Sequence, residues 1–198
     1  MKNLYIFAGV NGAGKSTFYV NQLENDSFYG ARINSDELVR EFGDWRNLAD
    51  QNRAAKLALK LRNSYLERGV DFNVETTLSG NGIVNFIKKA IKMGYELTLF
   101  YVGLSSVALS KQRVQIRVKK NGHSIDEAVL ERRYEQSFKN LARILPLCKN
   151  AYIYDNSQEI DDEKEQKFSN LRLFAIKKDE QIRLTDEAKN SWLDKVLK

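Results

Sequence analysis

Gly9-Val10-Asn11-Gly12-Ala13-Gly14-Lys15-Ser16 decides the fold of this chain. The spacing satisfies G-x-x-x-x-G-K-[ST], a phosphate-binding P-loop, and the flanking residues supply the context such a loop requires. Asn3-Leu4-Tyr5-Ile6-Phe7-Ala8 reads as a buried strand leading in, and Thr17 to Leu23 continues as a helix. Glycines let backbone N–H groups close around phosphate oxygens, and the helix N-terminus adds a dipole favourable to anions. Gly9, Asn11, Gly12, Ala13 and Gly14 are therefore the candidate ATP cradle, completed by Thr17. Lys15 is expected to reach the β- and γ-phosphates, and Ser16 to hold a Mg2+ ion.

The 198 residues suffice for one sizeable α/β domain, and 29% charged with 42% hydrophobic residues is ordinary for a globular protein. No apolar run approaches the length of a membrane span. Met1-Lys2-Asn3 leads straight into a strand, so no signal peptide is expected, and Cys148, the only cysteine, excludes an intrachain disulfide or a cysteine metal cluster. The expected compartment is the cytoplasm. Net charge is +6, concentrated between Lys111 and Arg133 without interleaved aromatic residues. That favours a phosphate-handling cleft over a nucleic-acid surface.

Strands alternate with helices along the chain. Ala31-Arg32-Ile33-Asn34, Val70 to Glu75, Tyr95 to Val102 and Ala151 to Tyr154 read as further strands. Asn47 to Arg68 is a long amphipathic helix, and Ile83, Ile87, Ala90 and Ile91 mark another. Ser105 to Lys119 and a helix opened by the capping-box pattern Ser124-x-x-Glu127 flank a break at Asn121-Gly122-His123, and together they form a lid over about residues 105–140. His123, the sole histidine, has no partner ligands in the sequence and reads as a turn residue. A hairpin turning at Lys177-Lys178-Asp179-Glu180 and a last helix from about Asp186 to Leu197 are expected over 171–198, after a charged loop from Glu159 to Lys167. The fold class is thus α/β: a nucleotide-kinase-like P-loop sheet, mainly parallel, with flanking helices and an arginine-bearing helical lid, all within one domain over 1–198.

Ligands gather at the carboxyl ends of such strands. Asp36, just past the second strand, is placed to accept a hydroxyl proton or to orient magnesium, because Ser35 suits the cap of the helix Glu37 to Phe42. Glu75 ends an apolar strand where a metal- or substrate-facing acid sits, followed by the hydroxyls of Thr76 and Thr77. Arg113 and Arg117, spaced i, i+4, share a helix face, and Arg132 and Arg133 open the body of the next helix. Arginine spreads its donors over phosphoryl oxygens and offsets transition-state charge, an effect worth about 10³–10⁵ in rate in phosphotransfer enzymes. Tyr152, Tyr154, Asp155, Asn156 and Ser157 end the fifth strand, a weak candidate for the adenine. Thr77-Leu78-Ser79-Gly80-Asn81 resembles a transporter ATPase signature loop, but it lacks the final Gly-Gln and follows a strand directly. GTPase base-reading motifs are missing as well.

Ala8 to Thr17, Ile33-Asn34-Ser35-Asp36, Val74-Glu75-Thr76-Thr77 and the basic segment Arg113 to Arg133 together resemble the zeta-toxin family of P-loop kinases, in the right order over roughly residues 1–157. The resemblance implies a nucleotide-kinase-like fold. It implies phosphorylation by ATP of a UDP-amino sugar such as UDP-N-acetylglucosamine, and a partner antitoxin that blocks the site. It carries ATP and magnesium binding onto Lys15 and Ser16, the role of base onto Asp36, and substrate contacts onto Glu75 and Thr77. Arg113 or Arg117, with Arg132 or Arg133, become the lid arginines. Residue 76 is Thr where the family's toxins carry Gly, and this chain is shorter than those toxins. The expected function is an ATP-dependent kinase acting on a small hydroxylated molecule, without nucleic-acid or membrane partners. The alternatives are a polynucleotide kinase or other nucleic-acid-processing P-loop ATPase, and a nucleotide-gated binding module without an acceptor.

Overall fold

The computed structural model describes residues 1–25, 27–119, 124–158 and 171–197. The predicted break at Asn121-Gly122-His123 and the charged run Glu159 to Lys167 lie outside them. Strands β1 (Lys2–Gly9), β2 (Ala31–Ile33), β3 (Phe72–Thr76), β4 (Tyr95–Gly103), β5 (Asn150–Asp155), β6 (Arg172–Lys178) and β7 (Gln181–Leu184) form one sheet in the order β2-β3-β1-β4-β5-β6-β7. The first five pair in parallel, while β6 and β7 are antiparallel. The helices are α1 (Lys15–Glu24), α2 (Ser35–Phe42), α3 (Leu48–Arg68), α4 (Asn81–Lys92), α5 (Val107–Lys119), α6 (Glu127–Ile144) and α7 (Trp192–Leu197). β1 lies between β3 and β4, so the chain leaves β1 toward one edge and later crosses to the other. That reversal makes the carboxyl end of β1, where the P-loop follows, the place at which open α/β sheets bind ligands.

Strand parity divides the core into two layers. Leu4, Ile6, Phe72, Val74, Leu97, Leu99, Tyr101 and Ile153 are buried on one face against α3, α4, α6 and α7. Phe7, Phe100 and Val102 are buried on the other, against Phe18 and Tyr19 of α1. That second layer is aromatic: Phe7 stacks on Phe100 at 4.9 Å, and Phe100 on Tyr152 at 5.3 Å. Tyr19 meets Phe7 edge-on at 4.9 Å, and Phe18 lies 4.9 Å from Tyr154. Each fully buried Leu, Ile or Phe stabilises the fold by about 1.5–3 kcal/mol. Tyr152 and Tyr154, suggested for an adenine, are half-buried and pack against this layer.

Several boundaries differ from those expected, each for a local reason. α2 begins at Ser35, and its cap is Asn34, whose side chain accepts from Asp36 N at 2.9 Å. α6 begins at Glu127 and is capped by Asp126, which accepts from Val129 N at 3.1 Å, so the Ser124 capping box does not form. Lys177 and Lys178 extend β6, and the turn shrinks to Asp179-Glu180, with Asp179 left-handed at φ 48°. The single terminal helix breaks into a 3-10 turn (Asp186–Ala188) and α7, because Asn190 adopts φ 62° between them.

Candidate active site

The P-loop is held from both sides. Gly9 has φ 148°, and a Cβ there would lie 2.1 Å from Val102 O, so only glycine lets β1 run this close to β4 while bending into the loop. Gly14 caps α1 in the left-handed region at φ 88°. From α5, Ser110 Oγ donates to Asn11 O at 2.6 Å. From the end of β5, Asn156 Nδ2 donates to Ala13 O at 2.9 Å. These bonds brace the loop from α5 and β5, and a loop fixed in its binding shape lowers the ordering cost of binding.

Lys15 follows at the first position of α1. Its Nζ donates to Val10 O at 3.1 Å, across the mouth of the loop. Burial pushes its pKa below the ordinary lysine value; Glu75 and Asp36 pull it back up, and Arg117 and Arg133 push it further down. Five charged groups from five elements thus share one neighbourhood: Lys15 (α1), Asp36 (α2), Glu75 (β3), Arg117 (α5) and Arg133 (α6). Asp36 is exposed on the first turn of α2 and also acts on Arg117, whose basicity burial lowers. Ser16 Oγ donates to Glu75 Oε1 at 2.6 Å.

Arg113 takes a different place. It is 8% exposed, its Nη2 donates to Gln158 O at 2.9 Å, and the charge of Asp155 partly offsets the burial that lowers its basicity. A Cβ on Gly12 would touch the Arg113 Cβ at 3.0 Å, so this residue packs α5 against the P-loop. Arg132 is exposed, while its neighbour Arg133 is half-buried. Thr77 Oγ1 pairs with Ser79 Oγ at 2.8 Å, and Thr76 Oγ1 accepts from Leu78 N at 3.0 Å. Both hydroxyls brace the turn at Leu78, a fully buried non-glycine residue at φ 57° whose carbonyl accepts from Asn140 Nδ2 at 2.8 Å. Such a backbone persists only where its surroundings over-determine it. Asp155, 1% exposed, accepts from Arg172, Trp192 and Ser157 and anchors the chain terminus.

Two side chains in the site were assigned no role from the sequence. Arg32 Nη2 donates to Glu75 Oε2 at 2.7 Å, and Asn34 Nδ2 donates to the same oxygen at 3.1 Å. Their signal was strand parity. Arg32 pairs with Asn73 across β2 and β3, which puts it on the sheet face of Glu75, two residues further on. A short edge strand with an arginine at its centre needs a buried acceptor, but its register cannot be read without the partner strand.

The donor set suits a hard divalent cation that arrives with a nucleotide. Among the described residues no group of three or more His, Cys, Asp and Glu could hold an ion alone. The Ser16 hydroxyl and Glu75 Oε1 offer adjacent oxygens at the P-loop, and Mg2+ is usually bound through one or two protein oxygens, with waters and phosphates completing its shell. Among the described residues no helix is long and apolar enough to cross a membrane.

Residues 1–173 match the family model described as zeta toxin. Over 136 residues the chain is 34% identical to an uncharacterized protein of Haemophilus influenzae, covering 68% of this chain and 94% of that one. All of it superposes on a chain of the AvrRxo1-ORF1:-ORF2 complex crystallised with ATP, with a TM-score of 0.69 at 13% identity, but it spans only 64% of that chain. A chain of the PezAT chromosomal toxin-antitoxin system of Streptococcus pneumoniae gives a TM-score of 0.57 at 18% identity, over 85% of this chain and 74% of that one. At these identities the structural likenesses establish the fold, a P-loop kinase fold, while the sequence matches establish descent. By the family match over most of its length and the 34% identity to that relative, the chain belongs to the zeta-toxin family.

Proposed function

We propose that the protein is an ATP- and Mg2+-dependent kinase that phosphorylates a hydroxyl of a small molecule, with a UDP-amino sugar such as UDP-N-acetylglucosamine the leading acceptor and an antitoxin as its partner. The observation that carries this reading is the convergence of Lys15, Asp36, Glu75, Arg117 and Arg133 on one mouth of the P-loop. Three cations against two carboxylates leave a net positive charge there, which with a divalent cation suits a triphosphate tail. Asp36, exposed at the helix start, suits an acceptor hydroxyl better than a structural pairing does.

In this reading the P-loop backbone holds the β- and γ-phosphates, and Ser16 with Glu75 would hold magnesium, which would neutralise phosphate charge when bound. Asp36 accepts the proton of the acceptor hydroxyl as its oxygen bonds to the γ-phosphorus. The bond from that phosphorus to the bridging oxygen breaks, and ADP leaves with the electron pair. Lys15, Arg117 and Arg133 face the charge that spreads over the transferring group, so catalysis is chiefly positioning and electrostatics.

The test is transfer of labelled γ-phosphate to a panel of nucleotide sugars, nucleosides and oligonucleotides. Asp36→Asn is expected to lower transfer about 10²–10⁴-fold with ATP affinity kept. Unchanged transfer in that variant would remove Asp36 as the base. Labelling confined to oligonucleotides, with a steep dependence on salt, would establish a polynucleotide kinase instead.

A further inference from the structure

The two oxygens of Glu75 have different neighbours. Oε1 accepts from Ser16 Oγ at 2.6 Å, while Oε2 accepts from Arg32 Nη2 at 2.7 Å and Asn34 Nδ2 at 3.1 Å. Arg32 is itself clamped. Its Nε and Nη2 donate to Glu37 at 2.7–2.9 Å, and its guanidinium carbon lies 3.6 Å from the centre of the Tyr19 ring. Tyr19 follows Ser16 by one helical turn, so the same face of α1 carries both ends of this circuit. Ser16, Glu75, Arg32 and Tyr19 form a closed ring of side chains that keys the P-loop helix to the ends of β2 and β3. The Arg32 and Glu75 side chains are only 15% and 10% exposed, so water competes little for these bonds.

We propose that Arg32 is a positioning residue of the nucleotide site. By fixing Glu75 Oε2 against Glu37 and Tyr19, it leaves Oε1 directed at Ser16 and keeps the carboxylate from swinging onto Lys15. Glu75 already lies within the electrostatic reach of Lys15, and a freed carboxylate would turn to the cation that phosphates require. The position needs arginine. A planar fork is required to serve two carboxylates at once, and a flat face is required to lie on a ring; lysine has neither. This inference rests on the proposed ATP site.

The test uses affinity for the magnesium complex of a non-hydrolysable ATP analogue, by calorimetry, so no acceptor is needed. Arg32→Gln is expected to weaken binding about 10–100-fold, the usual cost of losing a partner that orients a ligand. Arg32→Lys should recover little of it. In a Glu75→Gln background the same Arg32→Gln change should add less than about twofold, because the group it orients is gone. Glu37→Gln, at a more exposed position, loosens Arg32 without touching Glu75 Oε1 and should give a smaller loss in the same direction. Equal losses from Arg32→Gln in both backgrounds would overturn the inference. So would a lowered melting temperature with unchanged affinity. A wild-type protein that binds no ATP analogue would instead sink the proposed function, and the inference with it.

Discussion

Glu75 and Asp155 lie at the carboxyl ends of two strands of the same sheet, β3 and β5, with β1 and β4 between them, and each is a carboxylate paired to an arginine. Asp155 is closed. Arg172 Nη2 reaches it at 2.5 Å, Trp192 Nε1 at 2.8 Å and Ser157 N at 3.1 Å, and the Ser157 hydroxyl completes the set. Glu75 is open. One oxygen is saturated by Arg32 and Asn34, and the other meets an exposed serine at the P-loop. In the proposed function the difference separates a carboxylate that holds the fold from one that serves the nucleotide site. Asp155 ties β6 and α7 to the end of β5, and its neighbours Asn156 and Ser157 pass that order on to the P-loop and to Ser105 N. The family match ends at residue 173, yet Trp192 beyond it packs on β4 so tightly that a Cβ on Gly103 would lie 2.1 Å from its ring. This terminal segment is part of the core.

The largest expected effects test that separation directly. Glu75→Gln should lower phosphotransfer about 100-fold. Its effect on stability should be about 1 kcal/mol, since Arg32 keeps its pairing with Glu37. Asp155→Ala strands Trp192 Nε1 and the Arg172 guanidinium and should cost about 3 kcal/mol, the lower end for a buried pair because the Arg172 side chain is 41% exposed. For a chain of this size that is a fall in melting temperature of about 6–12 °C. Below that temperature its turnover should stay within a few-fold of wild type. Thermal melts and labelled-phosphate assays on both variants decide the matter, and a reversed pattern would erase the distinction.

A pH series sharpens the same contrast. In the proposed function it is the cationic form of Lys15 that binds phosphate, and burial holds its pKa below 10.5. ATP affinity should therefore be complete below that lowered pKa and lost as pH rises through it, at a pH where an ordinary lysine is still charged. The free protein should respond in the opposite sense. Burying a charged lysine is unfavourable to folding, and this cost disappears as pH rises from the folded-state pKa toward 10.5, so the contribution of Lys15 to stability grows across that window. Glu75→Gln removes a group that raises the pKa and should move the affinity midpoint lower still. Asp155→Ala should leave it in place. Calorimetry across alkaline pH reads both shifts, and a midpoint indifferent to Glu75 would contradict the proximity drawn between the two groups.

Much of this was legible in the sequence because it is local. The P-loop, its strand and its helix follow from glycine placement and apolar runs over fewer than thirty residues. Asp36 and Glu75 follow from the rule that ligands gather at strand ends. The sequence did not expose which arginines face inward. The i, i+4 spacing of Arg113 and Arg117 correctly places both on one side of α5, but the two ends of that side lie over different surroundings. Arg113 donates to Gln158 O and lies in the field of Asp155, and Arg117 lies in the field of Asp36. Periodicity gives the face of a helix and not what lies beneath each turn. Asn34 displaced Ser35 as a cap for a similar reason: both residues suit the role, and only the entry angle from β2 chooses between them. Arg32 was invisible because its meaning depends on the register between two strands about forty residues apart.

The smallest expected effect concerns the pair the sequence could not resolve, Arg132 and Arg133. Successive helical residues point about 100° apart, so at most one can face the cleft squarely. Arg133 is half-buried and contributes to the field at Lys15, whereas Arg132 is exposed. Arg133→Ala should lower turnover about tenfold, mostly through kcat, if its charge is felt chiefly as the phosphoryl group transfers. Its removal should also let the Lys15 pKa rise, because a like charge is gone, so ATP affinity should persist to slightly higher pH even as turnover falls. Arg132→Ala should change turnover less than about twofold, as exposed substitutions away from a site generally do. The opposing signs on affinity and rate are the useful part: a merely structural arginine would lower both together, and an arginine outside the field of Lys15 would move neither.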